Sequence, residues 1–205
     1  MESTDSVRER LLQAALHSFM TEDYHRVTTR RIADEACVNI SMIRYYFGNK
    51  EGLFEEMIKV TLAPLLDVLD SNLLSSNEGF TAFFKLYYDT MAAKPDFPKL
   101  ILKVLALNHG PGRRFIYQLL ERGRLRGTKR VAEMKLSGQV ADSTDADIVR
   151  IAFVSLAMMP MLLKDVFEEQ LGVAMDESFL FRMAEFNGHL FAAGVAPATS
   201  NGGKA

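Results

Sequence analysis

Residues 27–53 read VTTRRIADEACVNISMIRYYFGNKEGL, and this stretch predicts two short helices followed by the start of a third. Thr28 is a good N-cap because its hydroxyl can accept a hydrogen bond from an unpaired amide of the first turn. Ile32, Ala33 and Ala36 follow at helical spacing and form one apolar face. The first of the two short helices is therefore expected from about Thr28 to Ala36.

The second short helix begins after only three connecting residues. Asn39 can cap it, and Ile43 and Phe47, one turn apart, can pack against the first helix. Two short helices joined by so tight a connection predict a helix-turn-helix. The second helix of that motif enters the major groove of DNA with its N-terminal residues at the base edges. Polar and aromatic side chains on its outer face then have a physical reason to be exposed.

The candidate DNA contacts divide by their position in this motif. Four side chains are expected mainly to hold backbone phosphates: Thr28, Arg30, Tyr45 and Lys50. Four others are candidates for contacts with base edges: Asn39, Ser41, Met42 and Arg44. Arg44 can read guanine with two parallel hydrogen bonds, and Tyr46 completes the exposed face. The amides at the start of the third helix, with Lys50, can hold a phosphate.

Three features of this stretch form a specific combination. They are the Thr28-capped helix with Ile32-Ala33, the helix end Tyr45-Tyr46-Phe47, and the helix start Asn49-Lys50-Glu51-Gly52-Leu53. In this combination the chain resembles the N-terminal domain of the TetR (tetracycline-repressor-like) family of transcriptional regulators. The resemblance implies a DNA-binding regulator, more often a repressor than an activator.

The chain also departs from the family pattern. Cys37 stands where the family often has Gly, Arg31 where it often has an acidic residue, and Arg44 where it commonly has Tyr. Cys37 would be strained if its position needs a positive φ. Arg44 prevents the operator sequence from being inferred by analogy. For the single cysteine, the sequence favours a buried or structural thiol over redox sensing.

Composition limits the other classes of function. The 205 residues are 48% hydrophobic with a net charge of −2, so nucleic-acid binding must depend on a local patch. Such a patch is present in the motif, where basic residues outnumber the acidic Asp34 and Glu35. The basic residues are Arg26, Arg30, Arg31, Arg44 and Lys50. One cysteine and scattered histidines predict no metal site, and we expect no cofactor. The longest apolar run, Ile151–Leu163, is too short for a membrane span. The acidic N-terminus is unlike a signal peptide. Together these features predict a cytoplasmic protein without a membrane partner.

Helical periodicity continues along the whole chain, and no strand pattern of convincing length occurs, so an all-α fold is expected. We predict a helix-turn-helix domain over residues 1–49, a helical ligand-binding and dimerisation domain over 50–196, and a flexible tail over 197–205. Besides the two short helices, the expected helices cover approximately the following ranges: Ser6 to Met20, Lys50 to Leu74, Phe80 to Ala93, Pro98 to Leu107, Arg113 to Leu136, Asp145 to Leu171, and Asp176 to Ala193. Pro64 and Pro160 fall inside two of them.

The segment Ile148–Leu163 is apolar almost all round its helix, and such a helix needs partners on both sides. One side can be its own domain, and a second copy of the chain is the simplest occupant of the other. The predicted interface of this homodimer lies on this helix and the last one: Ile148, Ala152, Ser155, Leu156, Phe179, Met183, Phe186 and Leu190. The family resemblance implies the same four-helix interface.

A mainly apolar pocket is expected in the C-terminal domain. Its candidate residues are aromatic or apolar, with a few polar ends: Phe83, Phe84, Tyr87, Tyr88, Met91, Leu102, Leu105, His109, Met158 and Met159. Pro160 cannot donate to the carbonyl of Leu156, so it should bend its helix and leave an unpaired acceptor beside the methionines. This combination favours a small hydrophobic or aromatic effector. The alternative is a filled core, because methionine packs irregular gaps.

Two other functions remain open from the sequence. A helical interaction protein without DNA binding would have the same periodicity, and an enzyme would need more than His109 and His189 beside acidic residues. The basic run Arg113 to Arg130 is typical of a solvated helix face, with a second nucleic-acid contact or an anionic ligand as alternatives. The sequence favours a dimeric, ligand-responsive regulator that binds a palindromic double-stranded DNA operator.

Overall fold

The computed structural model describes residues 4–71, 79–106 and 112–197. In these ranges the chain forms ten α-helices and no strand. They are α1 Thr4–Thr21, α2 Thr29–Glu35, α3 Ser41–Phe47, α4 Lys50–Asp70, α5 Gly79–Ala93, α6 Asp96–Ala106, α7 Arg113–Leu136, α8 Ala146–Leu162, α9 Lys164–Leu171 and α10 Glu177–Val195. The predicted all-α fold is confirmed, whereas the predicted tail lies outside the described residues except for Pro197.

Side-chain caps set the starts of several helices. The Thr28 hydroxyl accepts from the amide of Arg31 at 3.3 Å, and Asn39 Oδ1 accepts from the amide of Ser41 at 2.9 Å. Asn49, Asp145 and Asp176 accept in the same way from the first turns of α4, α8 and α10. Each cap satisfies an amide that has no partner inside its helix. These local signals explain why the predicted starts agree with the structure.

Several predicted helix boundaries are wrong. Helix α4 ends at Asp70, before the predicted Leu74, and α6 begins at Asp96, before the predicted Pro98. Helix α1 begins at Thr4, so Ser6 lies inside its first turn and does not cap it. The long helix expected from Asp145 to Leu171 is broken at Leu163 into α8 and α9, which are bent by 68°. Pro160 lies one turn before the break and cannot donate to a carbonyl of the preceding turn, so the helix is weakest there.

No single helix in the described ranges is long and apolar enough to cross a bilayer, and only α8 and α9 taken together reach the required length and apolar content.

The chain divides into two compact units. The first unit contains residues 1–63 and 99–118, and the second contains residues 64–98 and 119–205. The division falls inside α4, between Ala63 and Pro64, so the first two-thirds of this helix belong with α1, α2 and α3. The sequence places the boundary earlier, after Asn49. Helices α4, α6 and α7 each contribute residues to both units.

The core of the first unit explains the orientation of the two short helices. Phe19 of α1 meets Phe54 of α4 edge to face, with ring centroids 4.6 Å apart. Ile32 of α2 and Ile43 of α3 are buried against this core. A seven-residue helix cannot stand alone in water, so α2 and α3 depend on α1 and α4 for their stability.

The core of the second unit is centred on the packing of α5 against α10. Gly188 of α10 approaches α5 so closely that an added Cβ would lie 2.7 Å from the backbone nitrogen of Thr81. Phe84 of α5 packs beside Phe191 of α10, with ring centroids 5.5 Å apart. Phe153 of α8 lies 4.6 Å from Phe84 and joins the same cluster. Three helices are thus held together mainly by aromatic side chains.

Candidate nucleic-acid interface and effector site

Helix α3 presents its outer face to solvent. Tyr45 is 75% exposed, and Ser41 and Arg44 are also exposed, while Ile43 on the opposite face is buried. Met42 and Tyr46 are half-buried at the edges of this face. The ring of Tyr45 meets that of Tyr46 edge to face, with centroids 4.9 Å apart. The arrangement offers hydrogen-bond donors and flat aromatic surfaces together.

The connection between α2 and α3 depends on a residue in the left-handed region. Cys37 has φ 53°, and its amide donates to the carbonyl of Asp34 at 3.1 Å. The next amide, of Val38, donates to the carbonyl of Ala33 at 3.0 Å and completes the end of the helix. The structure therefore meets the condition under which Cys37 is expected to be strained. Cys37 is exposed, so of the two alternatives favoured by the sequence the buried thiol is wrong, and the structural thiol stays a prediction.

The residues expected to hold phosphates lie in two different environments. Thr28 and Arg30 are exposed at the start of α2. Lys50, in contrast, donates through Nζ to the carbonyl of Tyr24 and lies 4.3 Å from the centroid of the Tyr24 ring. Partial burial of the ammonium group in this environment lowers the pKa of Lys50. Asn39 is exposed, although its side-chain oxygen is engaged with Ser41.

Several contacts that orient the motif were not found from the sequence. Glu35, at the end of α2, accepts from Ser18 Oγ at 3.0 Å and contacts Nδ1 of His17 at 2.5 Å. Lys103 of α6 donates to the carbonyl of Met20 at 3.0 Å. These partners lie far apart in the chain, and each residue alone is typical of a solvated helix face. No local pattern in the sequence identifies them.

The structure brings together the aromatic residues of the predicted effector site. Phe83, Phe84, Tyr88 and Met91 of α5 are buried, and Tyr87 is half-buried. Phe153, which the sequence analysis did not select, lies 4.9 Å from Phe83 and 6.4 Å from Tyr87, ring to ring. Such close ring contacts are those of a packed aromatic core. An enclosed effector therefore needs space beside this cluster or a rearrangement of it.

The polar centre of this cluster is built around Pro160. The carbonyl of Leu156, to which residue 160 cannot donate, accepts from the hydroxyl of Tyr88 at 3.0 Å. The same hydroxyl accepts from Nδ2 of Asn187 at 2.7 Å. Burial raises the pKa of Tyr88 to about 12, so the hydroxyl is protonated and can donate at neutral pH. The acceptor predicted to be unpaired is thus paired within the chain.

The remaining residues predicted for the effector site lie elsewhere. Met158 is half-buried and Met159 is 43% exposed on α8. Leu102 is 39% exposed and Leu105 half-buried, and both belong to the first unit, unlike the aromatic cluster. The exposure of Leu102 and Met159 differs from the enclosed position expected of them. His109 lies outside the described residues.

An exposed apolar face runs along α8 and α10. Ile148 is 66% exposed and Phe186 is 68% exposed, and Leu190 is also exposed. The other residues predicted for the dimer interface follow the same helical faces: Ala152 and Ser155 are exposed, and Leu156, Phe179 and Met183 are half-buried. Exposed apolar side chains of this size are typical of an interaction surface.

Comparisons with known proteins agree with this description. Residues 11–57 match the family model of the bacterial regulatory proteins of the tetR family. This range includes α2, α3 and the start of α4, so the resemblance seen in the sequence is confirmed. No curated protein sequence matches the chain.

Solved structures share the fold over almost the whole chain. The regulator FadR of Bacillus subtilis, solved with stearoyl-CoA, is 15% identical, with a TM-score of 0.71 over 91% of this chain and 98% of that one. The fatty acid degradation regulator FadR of Bacillus halodurans is 15% identical, with a TM-score of 0.68 over 94% and 96%. A protein of Mesorhizobium loti assigned to the TetR family is 19% identical, with a TM-score of 0.63 over 95% and 100%. At these identities the likeness shows the common fold.

Proposed function

We propose, from the premise that residues 11–57 belong to the tetR family of bacterial regulatory proteins, that this protein is a ligand-responsive transcription regulator, most simply a repressor. It would bind a palindromic DNA operator as a homodimer in the cytoplasm and would have no catalytic activity. The observation that carries the proposal is the exposed outer face of α3, with Ser41, Arg44 and Tyr45 on a helix-turn-helix.

The contacts with DNA divide into two groups. Arg44, Ser41, Met42 and Asn39 are proposed to reach base edges in the major groove, because they lie on or beside the outer face of α3. Thr28, Arg30 and Tyr45 are proposed to hold phosphates, and Tyr46 to support them. Lys50 is set apart from this group by its contact with Tyr24.

The homodimer is proposed to form through the exposed face of α8 and α10. Ile148 and Phe186 carry the largest exposed apolar side chains among the predicted interface residues, and burying them would remove this surface from water. A two-fold axis through such an interface duplicates the α3 helix. Two α3 helices would then meet successive major-groove faces about one DNA turn, or a small multiple of it, apart.

The effector is proposed to be a small molecule with a large apolar or aromatic part. The lining available in the second unit is mainly aromatic, and Tyr87 can orient one polar end. The stearoyl-CoA bound by FadR of Bacillus subtilis supports an apolar effector for a protein of this fold. Because α4 contributes to both units, an effector that prefers one conformation of the second unit can shift the population of DNA-binding states.

Selection of bound fragments from random duplex DNA tests the regulator. The expected result is a near-palindromic sequence, bound by the full chain at moderate salt. Absence of any enriched sequence would favour a helical interaction protein, and turnover of a substrate would favour an enzyme. The same experiment gives the spacing of the half-sites, and hence the symmetry of the bound protein.

A panel of fatty acyl and aromatic compounds tests the effector. A true effector raises the melting temperature of the protein and releases the selected DNA at the same concentrations. By linkage, the operator must weaken effector binding by the factor with which the effector weakens operator binding. Stabilisation without release of DNA would contradict the proposed mechanism.

A further inference from the structure

Helix α1 ends in a carbonyl held by a distant lysine. The last four carbonyls of a helix have no donor within that helix, and Met20 lies in the last turn of α1. Nζ of Lys103, on α6, donates to the Met20 carbonyl at 3.0 Å. An ammonium group at a helix C-terminus also interacts favourably with the helix dipole. Lys103 therefore caps α1 from another part of the chain.

A second lysine holds the same connection a few residues later. Nζ of Lys50, the first residue of α4, donates to the carbonyl of Tyr24 and lies over the Tyr24 ring. That ring is stacked on Phe19 at 5.5 Å and lies 4.9 Å from Phe54. The segment 20–27, which runs from the last turn of α1 to the residue before the cap of α2, is thus held at two main-chain carbonyls.

The two lysines belong to helices that continue into the second unit. Residues 50–63 of α4 lie in the first unit and the rest of that helix in the second, while α6 begins in the second unit and continues in the first from Lys99. A movement along either helix therefore displaces a lysine that holds segment 20–27. Thr28, the N-cap of α2, follows this segment directly.

We propose that Lys50 and Lys103 form a lysine clamp, which holds the carbonyls of Tyr24 and Met20 and fixes the helix-turn-helix in its DNA-binding orientation. Release of the Met20 carbonyl by α6 lowers the affinity for DNA. In this proposal Lys50 is a positioning residue and not a phosphate contact. The proposal rests on the proposed function and names the regulation of the same site.

Salt dependence of DNA binding separates a clamp from a phosphate contact. Each lost phosphate contact makes the slope of log K against log salt shallower by about 0.9. The clamp predicts that Lys103→Met and Lys50→Met weaken binding of the selected DNA about three- to tenfold with an unchanged slope. Lys103→Arg, which keeps a cationic donor, restores most of the affinity.

Lys94→Met is the matched control. Lys94 is exposed just before α6, so the substitution removes the same charge and leaves the clamp intact. Its affinity should stay close to that of the unaltered chain. Amide hydrogen exchange of segment 20–27, measured on the free protein, should become faster in Lys103→Met and not in Lys94→Met.

The outcomes are distinct. A slope made shallower by about 0.9 in Lys50→Met would assign that residue to a phosphate and overturn the clamp. Equal affinity and equal exchange in Lys103→Met and Lys94→Met would also overturn it, whereas the regulator would stand. If the unaltered chain selects no DNA, the proposed function fails, and hydrogen exchange alone then decides whether Lys103 holds segment 20–27.

Discussion

The outer face of α3 and the face along α8 and α10 both expose large side chains, but their chemistry differs. On α3, Tyr45 is exposed together with Arg44 and Ser41, so this face offers hydrogen-bond donors as well as an aromatic ring. On α8 and α10, Ile148 and Phe186 are exposed together with other apolar side chains of the same helices. The first face suits a polar, anionic partner and the second an apolar one.

The two faces also differ in what supports them. Helix α3 has seven residues and depends on local caps and on the turn at Cys37. Helix α8 is longer and is held from behind by the Tyr88 hydroxyl, which bonds to its Leu156 carbonyl. A change on either face should therefore alter binding, whereas a change behind it should alter stability first.

The largest effect is expected from a charge on the apolar face. Phe186→Glu would place a carboxylate in the proposed dimer interface, where it has no partner and must lose its hydration. We expect a monomer of about 23 kDa by light scattering at micromolar concentration, with operator affinity reduced at least a hundredfold. A monomeric mass for the unaltered chain would contradict the interface.

Leu136→Glu is the control for that substitution. Leu136 is 91% exposed at the end of α7, away from the exposed face of α8 and α10 in sequence. The added charge is the same and the side chain is already in water, so mass and operator affinity should not change. Dissociation in both variants would mean that charge, and not the apolar face, decides assembly.

The next effect is expected behind this face. Tyr88→Phe removes the hydroxyl that pairs with the Leu156 carbonyl and with Asn187, and both groups are left without that partner. We expect a loss of about 2 to 3 kcal/mol in the free energy of unfolding, measured with urea. Tyr117→Phe, at an exposed position on α7, is the control and should change stability far less. Equal losses in the two variants would exclude the network as the cause.

These two regions also show where sequence reasoning succeeds. The cap at Thr28 depends on neighbours within a few residues, and the sequence predicts it. For Cys37, the family resemblance raises a positive φ only as a condition, and the structure meets that condition. The use of the Leu156 carbonyl by Tyr88 could not be predicted, because the partners are 68 residues apart. The sequence identifies the missing donor at Pro160 but not the group that replaces it. Lys50 shows the same limit, since its partner depends on where Tyr24 folds.

On the α3 face, the expected effects are smaller and divide by type of contact. Arg44→Ala should weaken binding to the preferred sequence by about 1 to 3 kcal/mol and relax the preference at one base pair. Arg30→Ala should weaken all sequences alike and make the salt slope shallower by about 0.9. Binding to the selected operator and to variants of it at several salt concentrations distinguishes them. Similar behaviour of both variants would contradict the separation of base and phosphate contacts.

The smallest effect is expected behind the α3 face, at Cys37. A left-handed conformation costs a residue with a Cβ about 1 to 2 kcal/mol, whereas glycine adopts it without that cost. Glycine also makes the unfolded chain more flexible, which offsets about 0.4 to 1 kcal/mol of the gain. Cys37→Gly should therefore stabilise the protein by at most about 1 kcal/mol, with a rise of about 2 to 4 °C in melting temperature.

The control for this last substitution separates backbone strain from thiol chemistry. Cys37→Ala removes the exposed thiol but keeps the Cβ, so its melting temperature should stay close to that of the unaltered chain. Neither variant should change operator affinity in reducing buffer, because the turn keeps its hydrogen bonds from the amides of residue 37 and of Val38. If alanine stabilised as much as glycine, the positive φ would not be the source of the strain. If both variants instead lost a response of DNA binding to peroxide that the unaltered chain shows, Cys37 would be a redox sensor in the turn between α2 and α3.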